Sequence, residues 1–384
     1  MKFKLRAGMI GGGKGAFIGA VHRIALNMDG LIELCCGALS QNPEKARESG
    51  KELFLPEDRV YGSYEEMIKR ESELPEDQRM HFVIIVTPNF AHFEPAMMAL
   101  EHGFHVMIDK PMTLTLEQAK ALKAKVDETG LLLGLTHTYS GYPLVKEAKK
   151  MVADGKFGAV RKIYVEYPQG WLSQFSEADG NKQAAWRTDP SKSGKAGCMG
   201  DIGTHAAHLA EYISGQKIVK LCADLNIVVP GRLLDDDGAM LLKFDKGASG
   251  VLVATQVAAG EENNLKIRIY GEKGGLEWSQ QEPNTLLVKW LDAPTQVYRT
   301  GNGYLSSIAQ FNTRTPGGHP EGYLEAFGNI YRNFALALSA KLNNETPDPL
   351  IDYPTVEDGV RGMAFIDNVV ASAGSDQKWW DYVV

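Results

Sequence analysis

Five short apolar runs, at 5–10, 31–39, 80–87, 103–108 and 131–136, alternate with segments of helical period near 16–28, 43–53, 63–73, 90–102 and 114–129. Parallel strands cannot be joined by a tight turn, so a helix has to carry the chain back between each pair. Alternation at this spacing therefore predicts a parallel, doubly wound sheet over residues 1–140. The fifth helix should open on Thr113 or Thr115, with Glu117 and Gln118 in its first turn.

After a helix near 143–154 the pattern changes. Residues 159–168 and 217–299 read as strands separated by turn signals such as Asp245-Lys246-Gly247 and Glu272-Lys273-Gly274, without intervening helices. The expected strands are 217–229, 239–244, 250–258, 265–270, 275–279 and 286–291. This texture predicts a second, α+β domain over 141–384, built on a large, mostly antiparallel open sheet and closed by long helices near 321–342 and 354–374. A sheet of that size needs its outer face covered, so a homo-oligomer, dimer or tetramer, is expected to pack through it.

A chain of 384 residues has room for two cores. Its net charge of -7 and the lack of a dense Lys/Arg tract disfavour nucleic acid or an anionic membrane as partner. No apolar stretch is long enough for a signal peptide or a membrane span, so a cytoplasmic protein is expected. The four cysteines are too scattered for a disulfide framework and are expected as free thiols, with Cys35 and Cys36 pointing to opposite faces of one strand.

The segment Gly11-Gly12-Gly13-Lys14-Gly15-Ala16-Phe17-Ile18-Gly19 follows the first strand and opens a helix. Glycines there permit a tight turn and let backbone N–H groups approach a pyrophosphate. The closing glycine falls at Gly19, with Ala16 at the formal sixth position, so the loop reads as about three residues longer than the usual fingerprint. The second strand ends on Ser40 and Gln41 where an NAD site normally carries a carboxylate. Lys45 and Arg47 could reach a 2′-phosphate from the next helix. With no arginine directly after the strand, the reading leans to NAD and leaves NADP open. Thr87-Pro88-Asn89-Phe90-Ala91-His92 ends the third strand and would line the nicotinamide side of the crevice.

Lys110, in Ile108-Asp109-Lys110-Pro111, ends a buried strand. Pro111 removes a backbone donor and biases Lys110 toward extended backbone, which stops the strand and aims the lysine outward. The carboxyl ends of the strands are where open α/β sheets bind ligands. Later, Asp201-Ile202-Gly203-Thr204-His205 sets a carboxylate and an imidazole four residues apart, on one face if a helix begins at Asp201 as N-cap. His208 makes a His-x-x-His pair, but without a flanking Glu or a third ligand no metal site is expected.

Taken in order, these segments resemble the Gfo/Idh/MocA family of NAD(P)-dependent oxidoreductases over nearly the whole chain. The matching pieces are the Gly11–Gly19 loop, Thr87-Pro88-Asn89 with His92, Asp109-Lys110-Pro111 where the family usually has Glu-Lys-Pro, Trp186-Arg187-Thr188-Asp189-Pro190, and Asp201 through His205. The stretches 184–190 and 317–323 look like the pyranoside-oxidising branch, which includes levoglucosan dehydrogenase and glucoside 3-dehydrogenases. The resemblance implies an N-terminal Rossmann domain and a cofactor site drawing on Gly11, Gly13, Gly15, Ser40, Thr87, Asn89, His92, Lys110, Trp186 and Arg187. It also implies a catalytic set of Lys110, Asp201 and His205.

Tyr139, Gln169, Trp171 and His319 are further candidate contacts to a sugar or polyol substrate. An imidazole titrates near working pH, so His205 is expected as the base, with Lys110 polarising the reacting oxygen and Asp201 orienting the ring. The expected activity is oxidation of a secondary hydroxyl of a cyclic sugar, glycoside or inositol to a keto-sugar. The competing readings are an NAD-recycling glycoside hydrolase or lyase and a non-catalytic NAD(P)-binding sensor.

Overall fold

The computed structural model describes residues 3–177 and 180–384. The chain forms two compact units, Met1–Thr138 with Leu324–Val360, and Tyr139–Tyr323 with Arg361–Val384.

The first unit opens as β1 (Leu5–Gly11), α1 (Phe17–Asn27), β2 (Ile32–Ala38), α2 (Pro43–Glu52), α3 (Tyr64–Glu73), β3 (Phe82–Val86), α4 (Phe93–Glu101), β4 (His105–Ile108), α5 (Leu116–Thr129) and β5 (Leu133–Leu135). The strands pair in parallel in the order β2-β1-β3-β4-β5. Every residue of the central β3 is buried, as a strand covered on both faces must be. Strand order reverses between β1 and β3, so the glycine loop and the Thr87 turn leave the sheet side by side at the switch point.

Of the two threonines offered as the start of α5, Thr115 is the cap. Its hydroxyl accepts from Gln118 N at 3.3 Å, and the Gln118 side chain accepts from Thr115 N in return. Thr115→Ala is expected to lower stability by about 1 kcal/mol, read as a lower denaturant midpoint at unchanged slope.

The expectation for the two adjacent cysteines fails. Ala7 pairs with Leu34 but Gly8 pairs with Cys36, which leaves Cys35 as the extra residue of a β-bulge. The alternation of faces breaks there, and the Cys35 and Cys36 sulfurs lie within 4.8 Å of one another instead of on opposite faces. All four cysteines are free.

The second unit carries α6 (Pro143–Ala153), β6 (Val160–Pro168), α7 (Lys182–Arg187), α8 (Pro190–Ser193) and α9 (Thr204–Ser214). There follow β7 (Ile218–Asn226), β8 (Asp237–Phe244), β9 (Ser249–Thr255), β10 (Lys266–Gly271), β11 (Gly274–Ser279), β12 (Thr285–Trp290), β13 (Gln296–Arg299) and α10 (Ser307–Phe311). With β14 (Trp380–Asp381) these strands form one sheet in the order β13-β12-β11-β10-β6-β9-β8-β7-β14. All pairings are antiparallel except β6 with β9. β7 stops short of the expected 229 because the Asp236 carboxylate takes the N–H groups of Val228 and Val229. Strand β14 was not anticipated, and β13 lies within the 217–299 stretch read as strands without having been delimited there; both are short and lie at the sheet's edges.

The closing helices are α11 (Tyr323–Leu342) and α12 (Val356–Ala373). Phe327, Tyr331, Phe334 and Leu338 recur at helical spacing and are all buried. Within the first unit Phe334 meets Phe82 of β3 edge-on, and Pro354 O accepts from Leu135 N of β5. The segment 324–360 thus packs on the parallel sheet, which a division at residue 140 leaves out. No helix among the described residues is long and apolar enough to cross a membrane.

Candidate functional site

In the first unit the chemistry gathers at the carboxyl ends of β1, β3 and β4. Gly11, Gly12 and Gly15 all take positive φ, near +78°, +71° and +80°. Gly19 closes the loop: a Cβ there would lie 2.4 Å from Gly12 Cα, so α1 and the loop touch backbone to backbone. Helix α1 has no side-chain cap and no acidic residue in its first turn, which leaves its N-terminal N–H groups and positive dipole end available. A glycine cradle with an uncapped helix end fits the pyrophosphate of a dinucleotide. Ser40 follows β2, its hydroxyl accepting from Asn42 N, and Lys45 and Arg47 are exposed on α2.

The β3 and β4 loops are tied together by His92. Its Nδ1 faces Pro111 O at 2.9 Å and its Nε2 faces Thr87 O at 2.8 Å, and burial pushes its pKa down. With both ring nitrogens turned to backbone carbonyls, His92 holds the crevice's shape from behind, where the sequence suggested a cofactor contact. Thr87 Oγ1 donates to Ala91 O, and Asn89 is buried at the start of the following turn.

Strand β4 ends at Ile108, as expected, and the Lys110–Pro111 peptide is cis. Asp109 Oδ1 accepts from Lys110 N at 2.8 Å and from Thr136 Oγ1 at 2.7 Å. Its Oδ2 lies 3.9 Å from His22 Nε2, whose Nδ1 faces Tyr331 Oη at 2.6 Å. Burial alone would raise the Asp109 carboxyl; His22, Thr136 and Lys110 outweigh it and hold the pKa well below the usual carboxylate range. A depressed folded-state pKa means that stability is present above the unfolded value of about 3.9 and is lost as pH falls through the folded one. The stability gap between the wild type and Asp109→Asn is therefore expected to be largest near neutral pH and to narrow below about pH 4. Urea titrations at several pH values would show this, and a gap independent of pH would refute it.

The second unit holds a separate cluster. Residues Met199–Gly203 form one π-helical turn that runs directly into α9. Asp201 therefore lies inside a helical turn and does not cap α9, whose preceding residue is Gly203. Asp201 and His205 still fall one turn apart, as the spacing suggested. Gln256 Nε2 donates to Asp201 Oδ2 at 2.9 Å, and Arg187 Nε stands 3.4 Å from the same oxygen. The Arg187 guanidinium stacks over Trp186 at 4.3 Å and sits 5.9 Å from the Trp171 ring.

From Asp201 the bonding runs on through amides to phenols. Gln256 Nε2 also reaches Gln169 Oε1 at 3.4 Å, which accepts from Trp171 Nε1 at 3.0 Å. Gln169 Nε2 and Tyr167 Oη both donate to Asn263 Oδ1, at 2.6 and 2.7 Å. Asn263 Nδ2 donates to Tyr139 Oη at 3.2 Å, and the Tyr139 and Tyr167 hydroxyls bond each other. Burial raises the pKa of both tyrosines, so both stay protonated at neutral pH. The buried His205 ring meets Tyr139 edge-on at 4.8 Å, which fixes its plane. Amide and hydroxyl groups beside aromatic faces suit a polyhydroxylated ligand, whose hydroxyls need partners and whose ring faces are apolar.

Five of the sequence-picked residues of this unit, Tyr139, Gln169, Trp171, Asp201 and His205, join this cluster, and Trp186 and Arg187 flank it. His319 does not: it is exposed in a turn, and its ring makes no hydrogen bond among the described residues. Tyr167, Gln256 and Asn263 were missed. The parallel register that pairs Pro168 with Thr255 sets Gln169 beside Gln256, and no single-sequence signal carries a register.

Comparison with known proteins places both units. Residues 5–137 match the oxidoreductase family domain described as an NAD-binding Rossmann fold, and residues 145–277 match the GFO/IDH/MocA C-terminal domain. The chain is similar to an oxidoreductase of Sinorhizobium meliloti of known structure, with 44% identity, TM-score 0.89 and 98% and 99% of the two chains covered. It is also similar to an inositol dehydrogenase homolog of Azotobacter vinelandii solved with NADH and myo-inositol, with 32% identity, TM-score 0.90 and 100% and 98% covered. Levoglucosan dehydrogenase of Pseudarthrobacter phenanthrenivorans is 27% identical over 98% of this chain and 97% of its own.

Proposed function

The chain belongs to the Gfo/Idh/MocA family of NAD(P)-dependent oxidoreductases, and from that premise we propose that it oxidises a secondary hydroxyl of a cyclic sugar, glycoside or inositol to a keto-sugar. The observation that carries this reading is the ring of amides, phenols and indoles joined to Asp201 and packed on His205. It offers several hydroxyl partners in fixed positions, which a ring bearing many hydroxyls can use and a simple alcohol cannot.

Bound NAD supplies the hydride acceptor. Gly11, Gly13 and Gly15 with the start of α1 would hold its pyrophosphate, Thr87 and Asn89 would line the nicotinamide side, and Ser40 would meet the adenosine ribose. Ser40 and Gln41, with no arginine directly after β2, favour NAD over NADP. Lys110 donates to the reacting oxygen and stabilises developing alkoxide charge, with its backbone held by Asp109. His205 takes the hydroxyl proton. Asp201, oriented by Arg187 and Gln256, accepts from a neighbouring ring hydroxyl. The open face of the nine-stranded sheet, which exposes Val219, Leu241 and Val297, is proposed to pack against a second copy.

The test is a panel of sugars, glycosides and inositols with NAD and with NADP, followed by absorbance of the reduced cofactor. Stoichiometric NADH with at least one cyclic polyol, and a higher kcat/KM with NAD, is the expected result. Aglycone release without net NADH would replace this reading with cofactor-recycling glycoside cleavage, and cofactor binding without any turnover would make the chain a sensor.

A further inference from the structure

The turn between β7 and β8 holds an arginine that the proposed chemistry does not use. The Arg232 side chain is buried, and each of its three nitrogens has a partner. Nε and Nη2 donate to the Glu177 carboxylate at 2.9 and 3.3 Å. Nη2 also donates to Gln174 O at 2.8 Å, and Nη1 to Asp236 Oδ2 at 3.0 Å. The Asp236 carboxylate takes the N–H groups of Val228 and Val229 as well, so the turn folds around the ion pair.

Both sides of this clamp lead to the cluster around Asp201. Gln174 and Glu177 lie at the far end of the segment 169–177, whose Gln169 and Trp171 belong to the cluster. That segment contains no helix or strand, so no ladder of its own holds Trp171 in place. On the other side, Asp236 O accepts from Gln256 N at 2.9 Å, and the Gln256 side chain is the one that donates to Asp201. The neighbouring Asp235 carboxylate accepts from Gly197 N and Met199 N at 2.7 and 2.8 Å, and Asp235 O accepts from Cys198 N at 2.8 Å. Those three N–H groups stand at the entry to the π-helical turn that carries Asp201.

We propose that Arg232 is a positioning residue for substrate recognition, clamping the segment of Gln169 and Trp171 to the turn that holds Gln256 and Asp201. The inference rests on the reading of this cluster as the substrate site. Arg232 acts at one remove, through Gln174, Glu177 and Asp236. A buried guanidinium with two carboxylates is often no more stabilising than apolar side chains of the same volume. What it supplies is fixed geometry, since one planar fork aims at three acceptors at once.

Arg232→Gln, Arg232→Lys and Glu177→Gln are compared with the wild type in two assays. Amide hydrogen exchange in peptides of 169–177 should be faster in all three, while peptides of the parallel sheet exchange as in the wild type. With a cyclic polyol that the wild type oxidises, Arg232→Gln should raise KM for that substrate at least about tenfold and leave the Kd for NAD within about twofold. Arg232→Lys keeps the charge without the fork and should fall between. A smaller folded fraction lowers apparent kcat and leaves KM alone, so the KM change separates positioning from bulk stability. Unchanged exchange, or faster exchange with unchanged KM, overturns the proposal. If Arg232→Gln fails to fold, Glu177→Gln carries both readouts. If the wild type oxidises no cyclic polyol, the substrate reading fails, and exchange in 169–177 by itself upholds or overturns the clamp.

Discussion

Lys110→Ala and His205→Ala are each expected to lower kcat by about 10²- to 10⁴-fold while NAD still binds. The magnitude follows from the roles proposed. Removing Lys110 leaves the developing alkoxide without its charged donor, and removing His205 leaves the proton to bulk water. In the proposed mechanism both act on the reacting oxygen, so the double variant should lose far less than the product of the single losses. The pH profile separates the two. Wild-type kcat/KM should fall on the acid side as the base takes up a proton, and His205→Ala should flatten that limb. Steady-state rates with cofactor affinity by fluorescence decide the matter. Near-wild-type turnover in both variants sinks the catalytic assignment, and loss of NAD binding in either makes that residue structural.

Gly19→Ala is expected to damage cofactor binding although it lies in a helix, where alanine is ordinarily the better residue. The added Cβ would come 2.4 Å from Gly12 Cα and 2.5 Å from Gly12 O. Both are backbone atoms of the cradle, so no side chain can move aside. Relief requires α1 to lift off the loop, at about 1–3 kcal/mol of stability, and lifting misaligns the N–H groups proposed to hold the pyrophosphate. The Kd for NAD should rise at least about tenfold, equivalent to 1.4 kcal/mol. Gly30→Ala is the control: φ there is +66° but a Cβ meets nothing within 4 Å, so strain should cost stability without weakening NAD. Equal affinity in wild type and Gly19→Ala would show that the close contact does not set the cradle's shape.

The first unit was legible because its signals are local. A buried parallel strand is a short apolar run wherever it occurs, and all five runs became strands within a few residues of the expected bounds. The Gly11–Gly19 loop was legible as well, since positive φ and close approach both demand glycine. His92 shows where the local signal misleads. A histidine at a loop start suggests an outward contact, but two carbonyls from loops nineteen and five residues away claim both its nitrogens. The Cys35–Cys36 pair misled for a related reason. Alternation predicts opposite faces, and only the pairing with β1 reveals the bulge that cancels it.

Taken alone, the sequence determined the parallel sheet, the glycine cradle, the strand-end lysine and the Asp201–His205 spacing, because each depends on residues close along the chain. Tertiary structure alone decided which side chains those groups would keep company with. Gln256 reaches Asp201 across 55 residues and Asn263 reaches Tyr139 across 124. Tyr331, from the helix near the end of the chain, faces His22 in the first. Such pairings are set by strand register and helix packing, which local propensity does not encode.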